Sequence, residues 1–262
     1  DVISPKNALI IIDEAHNLPY RLKDLASEYL TTTTLDRAIK EATKHGYDST
    51  VEVLQNMKEL LFKLSDGLAI GQEKIITRNM FEGYLNDTYD YDQIIGDFEF
   101  IAESVREKQK SSYLGSIANF MEMWQGAEEG FTRILSFKKG LREPFVSISY
   151  RCMDASVVSK EVINSTHSTI MMSGTLLPTA MYKELLGMEE VQEVVFKDPF
   201  PKKNRLNLVV PRTTTKFTSR GEKQYEEIAT VLAEMTNNIP GNSAVFFPSY
   251  YLRDQINDIF SE

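Results

Sequence analysis

At 262 residues the chain has room for one large domain or two smaller ones, and its 42% hydrophobic and 10% aromatic content excludes a disordered protein. A net charge of −9 argues mildly against a uniformly nucleic-acid-binding surface while allowing a local basic stripe, and no apolar run reaches membrane-spanning length. The single cysteine, Cys152, makes no intramolecular disulfide and ligates no cluster alone, so a reducing cytoplasm is the expected setting.

In chain order, the run Ala8-Leu9-Ile10-Ile11-Ile12 predicts a buried strand, and Asn17 to Glu28 predicts the helix after it. With a core strand so near Asp1 and no initiating methionine, the chain reads as an excised piece without a signal peptide. From Leu35 to about Leu141 strand signals vanish. Val51, Leu54, Leu61 and Leu64 recur at helical spacing, as do Ile94, Ile95, Phe98, Ile101, Ala102 and Val105. Phe120, Met123, Trp124, Phe131 and Ile134 form a further apolar stripe, so an all-helical insertion is expected. α/β alternation resumes with a strand over Phe145–Tyr150, a helix over Ala155–Asn164 and a strand over Thr169–Met172. A helix over Thr179–Leu186 follows, stopped by Gly187 in the left-handed cap conformation. Strands are expected over Val191–Phe196, Leu206–Val210 and Ala244–Phe247, the last after a Pro240-Gly241-Asn242 turn, with helices over Tyr225–Met235 and after Ser249.

Asp13-Glu14-Ala15-His16, directly after the first strand, carries the most chemistry. A buried parallel strand delivers the residues at its carboxyl end to the ligand crevice of an open α/β sheet. There one carboxylate can hold Mg²⁺ on nucleotide phosphates and its neighbour can orient or deprotonate water. The alternative is that Asp13 and Glu14 only cap the next helix. The strand ending in Ser173-Gly174-Thr175 is expected beside the first, with the helical block looped out between them. The Ser173 and Thr175 hydroxyls would then lie next to Asp13 and His16 and sense the nucleotide state, unless this segment is merely a strand-to-helix turn. Basic groups at Lys138, Lys139 and Arg142, at Lys202, Lys203 and Arg205, and at Arg212, Lys216 and Arg220 are either a phosphate track or solvated faces. Tyr150, Phe217, Tyr250 and Tyr251 either stack on bases or pack in a core or rim. His16, His45 and His167 include no closely spaced pair, which leaves a metallohydrolase poorly supported.

Asp13-Glu14-Ala15-His16-Asn17 resembles the Walker B motif of the XPD/DinG group of superfamily-two helicases, nearest its archaeal XPD-type members. Cys152-Met153-Asp154-Ala155-Ser156 followed by Ser173-Gly174-Thr175-Leu176-Leu177-Pro178 resembles the approach to that family's motif III. Lys216-Phe217-Thr218-Ser219-Arg220 resembles its K-F-x-x-R element, and Phe246-Phe247-Pro248-Ser249-Tyr250 its motif IV. The resemblance implies an α/β fold of RecA-like parallel sheets, P-loop NTPase in type, with an inserted all-helical arch domain. It implies first motor domain over 1–30 and 145–182, arch over 31–144, and the start of a second motor domain over 183–262. It further implies a fragment of an ATP-dependent 5′–3′ DNA helicase of nucleotide excision repair. Asp13 would bind Mg²⁺ through water and Glu14 would activate the hydrolytic water. His16 with Ser173, Gly174 and Thr175 would couple ATP to DNA movement, and Lys216, Phe217, Arg220 and Tyr250 would touch nucleic acid.

Departures from the pattern matter as much. There is no G-x-x-x-x-G-K-[ST] phosphate loop, no set of cysteines for the family's 4Fe–4S cluster, and no later motif with an arginine finger. The 262 residues alone are therefore expected neither to bind ATP tightly nor to hydrolyse it. Implied partners are single-stranded DNA, the remainder of the helicase and repair proteins on the arch, with no membrane. The location would be cytoplasmic in an archaeon or other prokaryote, or nuclear in a eukaryote. A different class of function also fits: a non-catalytic single-stranded-DNA-binding or protein-interaction module centred on the arch, with Asp13 and Glu14 idle.

Overall fold

The computed structural model describes residues 5–141 and 143–260 and divides into two units, residues 1–194 and 195–262. In the first unit, β1 (Leu9–Ile12) pairs in parallel with β6 (Ser168–Met171), Leu9 opposite Ser168 and Ile12 opposite Met171. The neighbours expected from the sequence are therefore neighbours in space, and both strands run out at the same end. After β1 come a single 3-10 turn (Ala15–Asn17) and helix α1 (Leu18–Leu25), started by the buried Pro19 in its first turn.

The insertion is largely helical but not all-helical, which corrects the expectation for residues 31–144. Strands β2 (Glu28–Thr31), β3 (Glu73–Ile75), β4 (Phe131–Lys138) and β5 (Phe145–Cys152) form an antiparallel sheet in the order β2-β5-β4-β3. The apolar stripe through Phe120 and Ile134 is two elements, because Gly126 and the left-handed Gly130 (φ 76°) break the chain after Trp124. The strand over 145–150 belongs to this sheet and not to the parallel pair. Its alternation is legible: Val146, Ile148 and Tyr150 enter the core, while Ser147 and Ser149 are buried on the other face.

Helices α2 (Thr32–His45), α3 (Asp48–Leu64), α4 (Arg78–Asn86), α5 (Tyr91–Arg106) and α6 (Tyr113–Trp124) supply the rest of that core. Their starts follow ordinary capping chemistry. Thr31 Oγ1 accepts the Thr34 N–H at 3.0 Å, Asp90 Oδ1 accepts the Gln93 N–H at 3.0 Å, and Ser112 Oγ accepts the Gly115 N–H at 3.3 Å. Phe81, Phe120 and Trp124 meet edge to face or tilted at centroid distances of 5.4–6.1 Å. Arg133 is buried between Trp124 and Tyr150, its guanidinium carbon 5.3 and 4.8 Å from the ring centroids, and it donates to the Trp124 and Gly126 carbonyls that end α6.

From β5 the chain passes through α7 (Ser156–Ser165) to β6, and then α8 (Thr179–Leu185) ends at Gly187 with φ 63°. Among the described residues after α8 no strand forms, against the three segments expected at 191–196, 206–210 and 244–247. A strand exists only beside a hydrogen-bonding neighbour. Without one these stretches stay irregular, and Phe196, Leu206, Leu208, Val209 and Phe246 are exposed. What folds there is a helix pair, α9 (Glu222–Asn238) and α10 (Tyr250–Phe260), joined through Tyr225, Ala229, Leu252 and Ile256.

Candidate active site at the carboxyl end of the parallel pair

Beyond Ile12 the backbone must turn from an extended strand into a 3-10 helix within two residues. Glu14 absorbs the turn at φ 50°, ψ 38°, the left-handed region that L side chains avoid, at a cost on the order of 1–2 kcal/mol. The turn is fastened to the neighbouring strand on both sides. Met172 N–H donates to the Ile12 carbonyl at 3.0 Å, and Ala15 N–H donates to the Met172 carbonyl at 3.1 Å. Ala15 is buried, so the fastening lies under the site and the polar side chains lie on top.

Those side chains converge on one hydroxyl. Ser173 Oγ lies 2.8 Å from His16 Nδ1 and 3.2 Å from Glu14 Oε2, and it accepts the Thr175 N–H at 3.1 Å. The Thr175 hydroxyl is 3.4 Å away, and His16 Nδ1 is itself 3.3 Å from Glu14 Oε2. Ser173 has one proton, and the Glu14 carboxylate can only accept it. The contact from His16 is therefore a donation, which requires the Nδ1–H form of the ring. Asp13 Oδ1 accepts the Glu14 N–H at 2.8 Å, while Oδ2 accepts no hydrogen bond among the described residues. Gly174, at the crest of the turn, has nothing within 4 Å of where a Cβ would stand. Asp13, Glu14, His16, Ser173, Gly174 and Thr175 thus form one cluster, with His16 and Ser173 half-buried and the rest exposed.

The nucleic-acid candidates Lys216, Phe217, Arg220 and Tyr250 belong to the second unit. Phe217–Ser219 form a 3-10 turn entered from Lys216, and Arg220 folds back over the exposed Phe217 ring at 5.4 Å while its Nε donates to the Thr215 carbonyl. Tyr250 opens α10, with the Arg253 guanidinium 5.0 Å from its ring centroid. Tyr150 is not a surface aromatic. It stacks on Phe131 at 4.5 Å and donates its hydroxyl to the Ala127 carbonyl, and burial pushes that phenol upward in pKa. Lys138 and Lys139 lie at the end of β4, and Arg142 falls outside the described residues. Arg205 pairs with Asp198 at 3.8 Å.

Tested against a metal, the cluster fits a hard cation held through water. One exposed carboxylate with an uncommitted oxygen is the donor set that Mg²⁺ uses alongside phosphates. The chain does not fit a 4Fe–4S cluster, which needs several thiolates. Its one cysteine is buried, donates to the Asp154 carbonyl at 3.2 Å, and has its thiol pushed up in pKa by burial. No group of three or more metal-ligating side chains occurs among the described residues.

No family model matches the chain. It is 27% identical over 161 residues to the transcription and DNA repair factor IIH helicase subunit XPD/RAD3 of Saccharomyces cerevisiae, an overlap covering 58% of this chain and 21% of that protein. It is 23% identical over 294 residues to the ATP-dependent DNA helicase CHL1 of Yarrowia lipolytica, covering 96% of this chain and 36% of that one. The XPD subunit of Arabidopsis thaliana is 29% identical over 127 residues, 46% of this chain and 16% of its own. The chain thus spans about a fifth to a third of the relatives it matches most broadly, and these relatives are eukaryotic. A solved XPD helicase superposes with a TM-score of 0.56 at 20% identity, over 98% of this chain and 44% of that one. An apo XPD gives 0.55 at 19%, over 98% and 49%. No helix among the described residues is long and apolar enough to cross a membrane. In sequence and in fold, the chain is XPD-like.

Proposed function

We propose that the chain is the part of an ATP-dependent, 5′–3′ DNA helicase that runs from the Walker B carboxylates to motif IV, acting on single-stranded DNA in nucleotide excision repair. One observation carries this reading. The parallel β1–β6 pairing closes a loop of more than 150 residues and brings Asp13-Glu14-Ala15-His16 onto Ser173-Gly174-Thr175. A helix start needs no serine from a strand so distant. A site that couples a hydrolytic carboxylate to a mobile element does.

In this reading Asp13 would hold Mg²⁺ through water, and the ion would supply neutralisation of charge on the nucleotide phosphates. Glu14 orients the attacking water and accepts its proton. At rest its carboxylate is engaged by Ser173 Oγ–H and faces His16 Nδ1–H, so it must exchange those donors for the water in order to act. Ser173 and Thr175 follow Glu14 through their shared hydrogen bonds and transmit its position to the loop after β6. Lys216, Phe217, Arg220 and Tyr250 contact nucleic acid. The phosphate-cradling loop, the arginine finger and any 4Fe–4S cluster belong to other parts of the helicase, since this sequence holds none of them. Residues up to about 27 and from about 153 to 182 are then motor and motor return, 28–152 the arch with its antiparallel sheet, and 183–262 the second motor. The expected boundaries at 30/31 and 144/145 move because β2 and β5 join the insertion's sheet. The eukaryotic relatives favour a nuclear setting over the archaeal one.

The test is DNA-stimulated ATP hydrolysis by the protein extended to include a phosphate loop, with Glu14→Gln as the control. Activity that rises with single-stranded DNA and disappears in Glu14→Gln supports the assignment. Activity indifferent to Glu14 would reduce the motif to a helix start.

A further inference from the structure

The turn that carries Ser173 is held at both ends. At the near end Met172 is tied to β1 through its N–H and its carbonyl. Gly174, however, has nothing within 4 Å of where a Cβ would stand, so the strand alone does not fix the direction in which the chain leaves Ser173. That direction matters, because the Thr175 N–H donates to Ser173 Oγ and so orients the hydroxyl between Glu14 and His16. It is set at the far end, where α8 stops.

A helix end leaves carbonyls without intrahelical partners. Just past α8, those of Leu186 and Gly187 are taken by side chains of α7. Ser159 is buried, with Oγ 2.9 Å from the Leu186 carbonyl and 3.0 Å from the Ala155 carbonyl, which share its one proton. Asn164 uses both ends of its amide: Nδ2 donates to the Gly187 carbonyl at 3.1 Å and Oδ1 accepts the Glu189 N–H at 3.4 Å. Leu186 is fully buried. A Cβ on Gly187, whose φ is 63°, would stand 3.0 Å from the Cβ atoms of both Ser156 and Lys160, so glycine is what lets α8 stop this close to α7. The Lys160–Glu189 ion pair at 3.4 Å is exposed and adds little.

α7 is a fixed base for this clamp. The Met153 and Asp154 N–H groups before it donate to the Gly130 carbonyl at 2.8 and 3.3 Å, and Asp154 Oδ1 accepts the Ser156 N–H at 2.9 Å. Val157 fills the space where a Cβ on Gly130 would stand, and α7 also packs on α1.

We infer that Ser159 and Asn164 are positioning residues for the Glu14–Ser173 contact. From α7 they hold the far end of the Ser173–Pro178 turn and so set where the Ser173 hydroxyl points. Both act through α8. The consequence for ATP hydrolysis rests on the helicase reading, whereas the hold on the turn does not.

The test is the His16 ring of the 262-residue chain, read by long-range ¹H–¹⁵N correlation. Ser159→Ala should lower the ratio of Nδ1–H to Nε2–H rings about fivefold, the worth of one ordinary hydrogen bond. Ser159→Thr, which keeps the hydroxyl, should hold the wild-type ratio. Asn164 is exposed, so Asn164→Asp should fold regardless. It keeps the acceptor for Glu189, loses the donor to Gly187, and should shift the ratio the same way by about twofold. Arg133→Met weakens the same unit away from α7 and should leave the ring as it is, which separates positioning from a general loss of stability. Identical rings in wild type, Ser159→Ala and Asn164→Asp would overturn the inference, as would an Arg133→Met shift as large as that of Ser159→Ala. DNA-stimulated ATP hydrolysis by the protein extended to include a phosphate loop tells the two readings apart. If hydrolysis ignores Glu14 while the ring responds to Ser159, the helicase reading falls and the hold on the turn stands. If hydrolysis depends on Glu14 while ring and rate both ignore Ser159, the hold alone falls.

Discussion

Removing the Ser173 hydroxyl is the sharpest perturbation of the candidate active site. Ser173→Ala deletes an acceptor for Thr175 N–H and for His16 Nδ1, and a donor to Glu14 Oε2, in one step. The site is half-exposed, so water replaces much of what is lost and each bond counts at the low end, about 0.5 kcal/mol. The sum over the three bonds is about 1.5 kcal/mol, near 4 °C in Tm for a unit of this size. That fall in stability would not by itself support the geometry, because many substitutions cost as much. The discriminating readout is the imidazole of His16 by long-range ¹H–¹⁵N correlation. In the wild type the ring should be held with its proton on Nδ1. In Ser173→Ala the ring should lose that preference, and Ser173→Thr, which keeps the hydroxyl, should retain it. An Nδ1–H population identical in wild type and Ser173→Ala would refute the argument, since it would mean that something other than Ser173 fixes the ring.

Two further outcomes follow from groups outside the site. Arg133→Met keeps the side-chain volume but leaves the Trp124 and Gly126 carbonyls without their guanidinium donor, so unfolding by denaturant should show a loss of about 3 kcal/mol; a loss under 1 kcal/mol would contradict the role assigned to Arg133. Glu73 has its pKa lowered, first by the Arg151 hydrogen bond and then by that of Ser136. Its contribution is therefore present above the ordinary carboxylate range and lost as pH falls through the depressed value, and Glu73→Gln should remove that part of the acid dependence of stability seen by circular dichroism.

What the sequence made legible was whatever depends on local pattern and backbone chemistry. The run before Asp13 and the run before Ser173 are both short, β-rich and apolar, and a parallel pairing was their natural partner choice. Gly187 ended its helix for the reason that glycine tolerates positive φ. The antiparallel sheet of the insertion was hidden for a different reason. Phe131 and Ile134 continue the helical spacing of Phe120 and Trp124, and the break rests on two glycines and on a buried arginine that only tertiary contacts make tolerable. β3 is three residues long and exposed throughout, below the length at which alternation carries a signal. The left-handed turn at Glu14 and the convergence on Ser173 could not be read in advance, because each depends on a register fixed across the whole insertion. The hold of Glu41 on the start of α6 was missed because Gln109, Ser112 and Leu114 lie about 70 residues after it, and no window along the chain contains both.

Strain and exposure point the same way in this molecule. The second unit leaves Phe196, Leu206, Leu208, Val209 and Phe246 to solvent, although each lies in a short apolar run of strand-forming residues. The outer positions of β1 and β6 do likewise: Leu9, Ile11 and Ile170 are about half exposed. Burying apolar surface is worth about 25 cal/mol per Å², so a protein with both sets covered would be the more stable by several kcal/mol. Both sets sit on or beside segments read as parallel-sheet strands, the class of sheet that is stable only when both faces are covered. The insertion, by contrast, has a closed core around Trp124, Phe81 and Tyr91 and needs no such cover. In the helicase reading the element that meets nucleotide is the one assembled from distant parts. It is there that Glu14 stores its backbone strain, and there that Ser173 supplies the hold that keeps it.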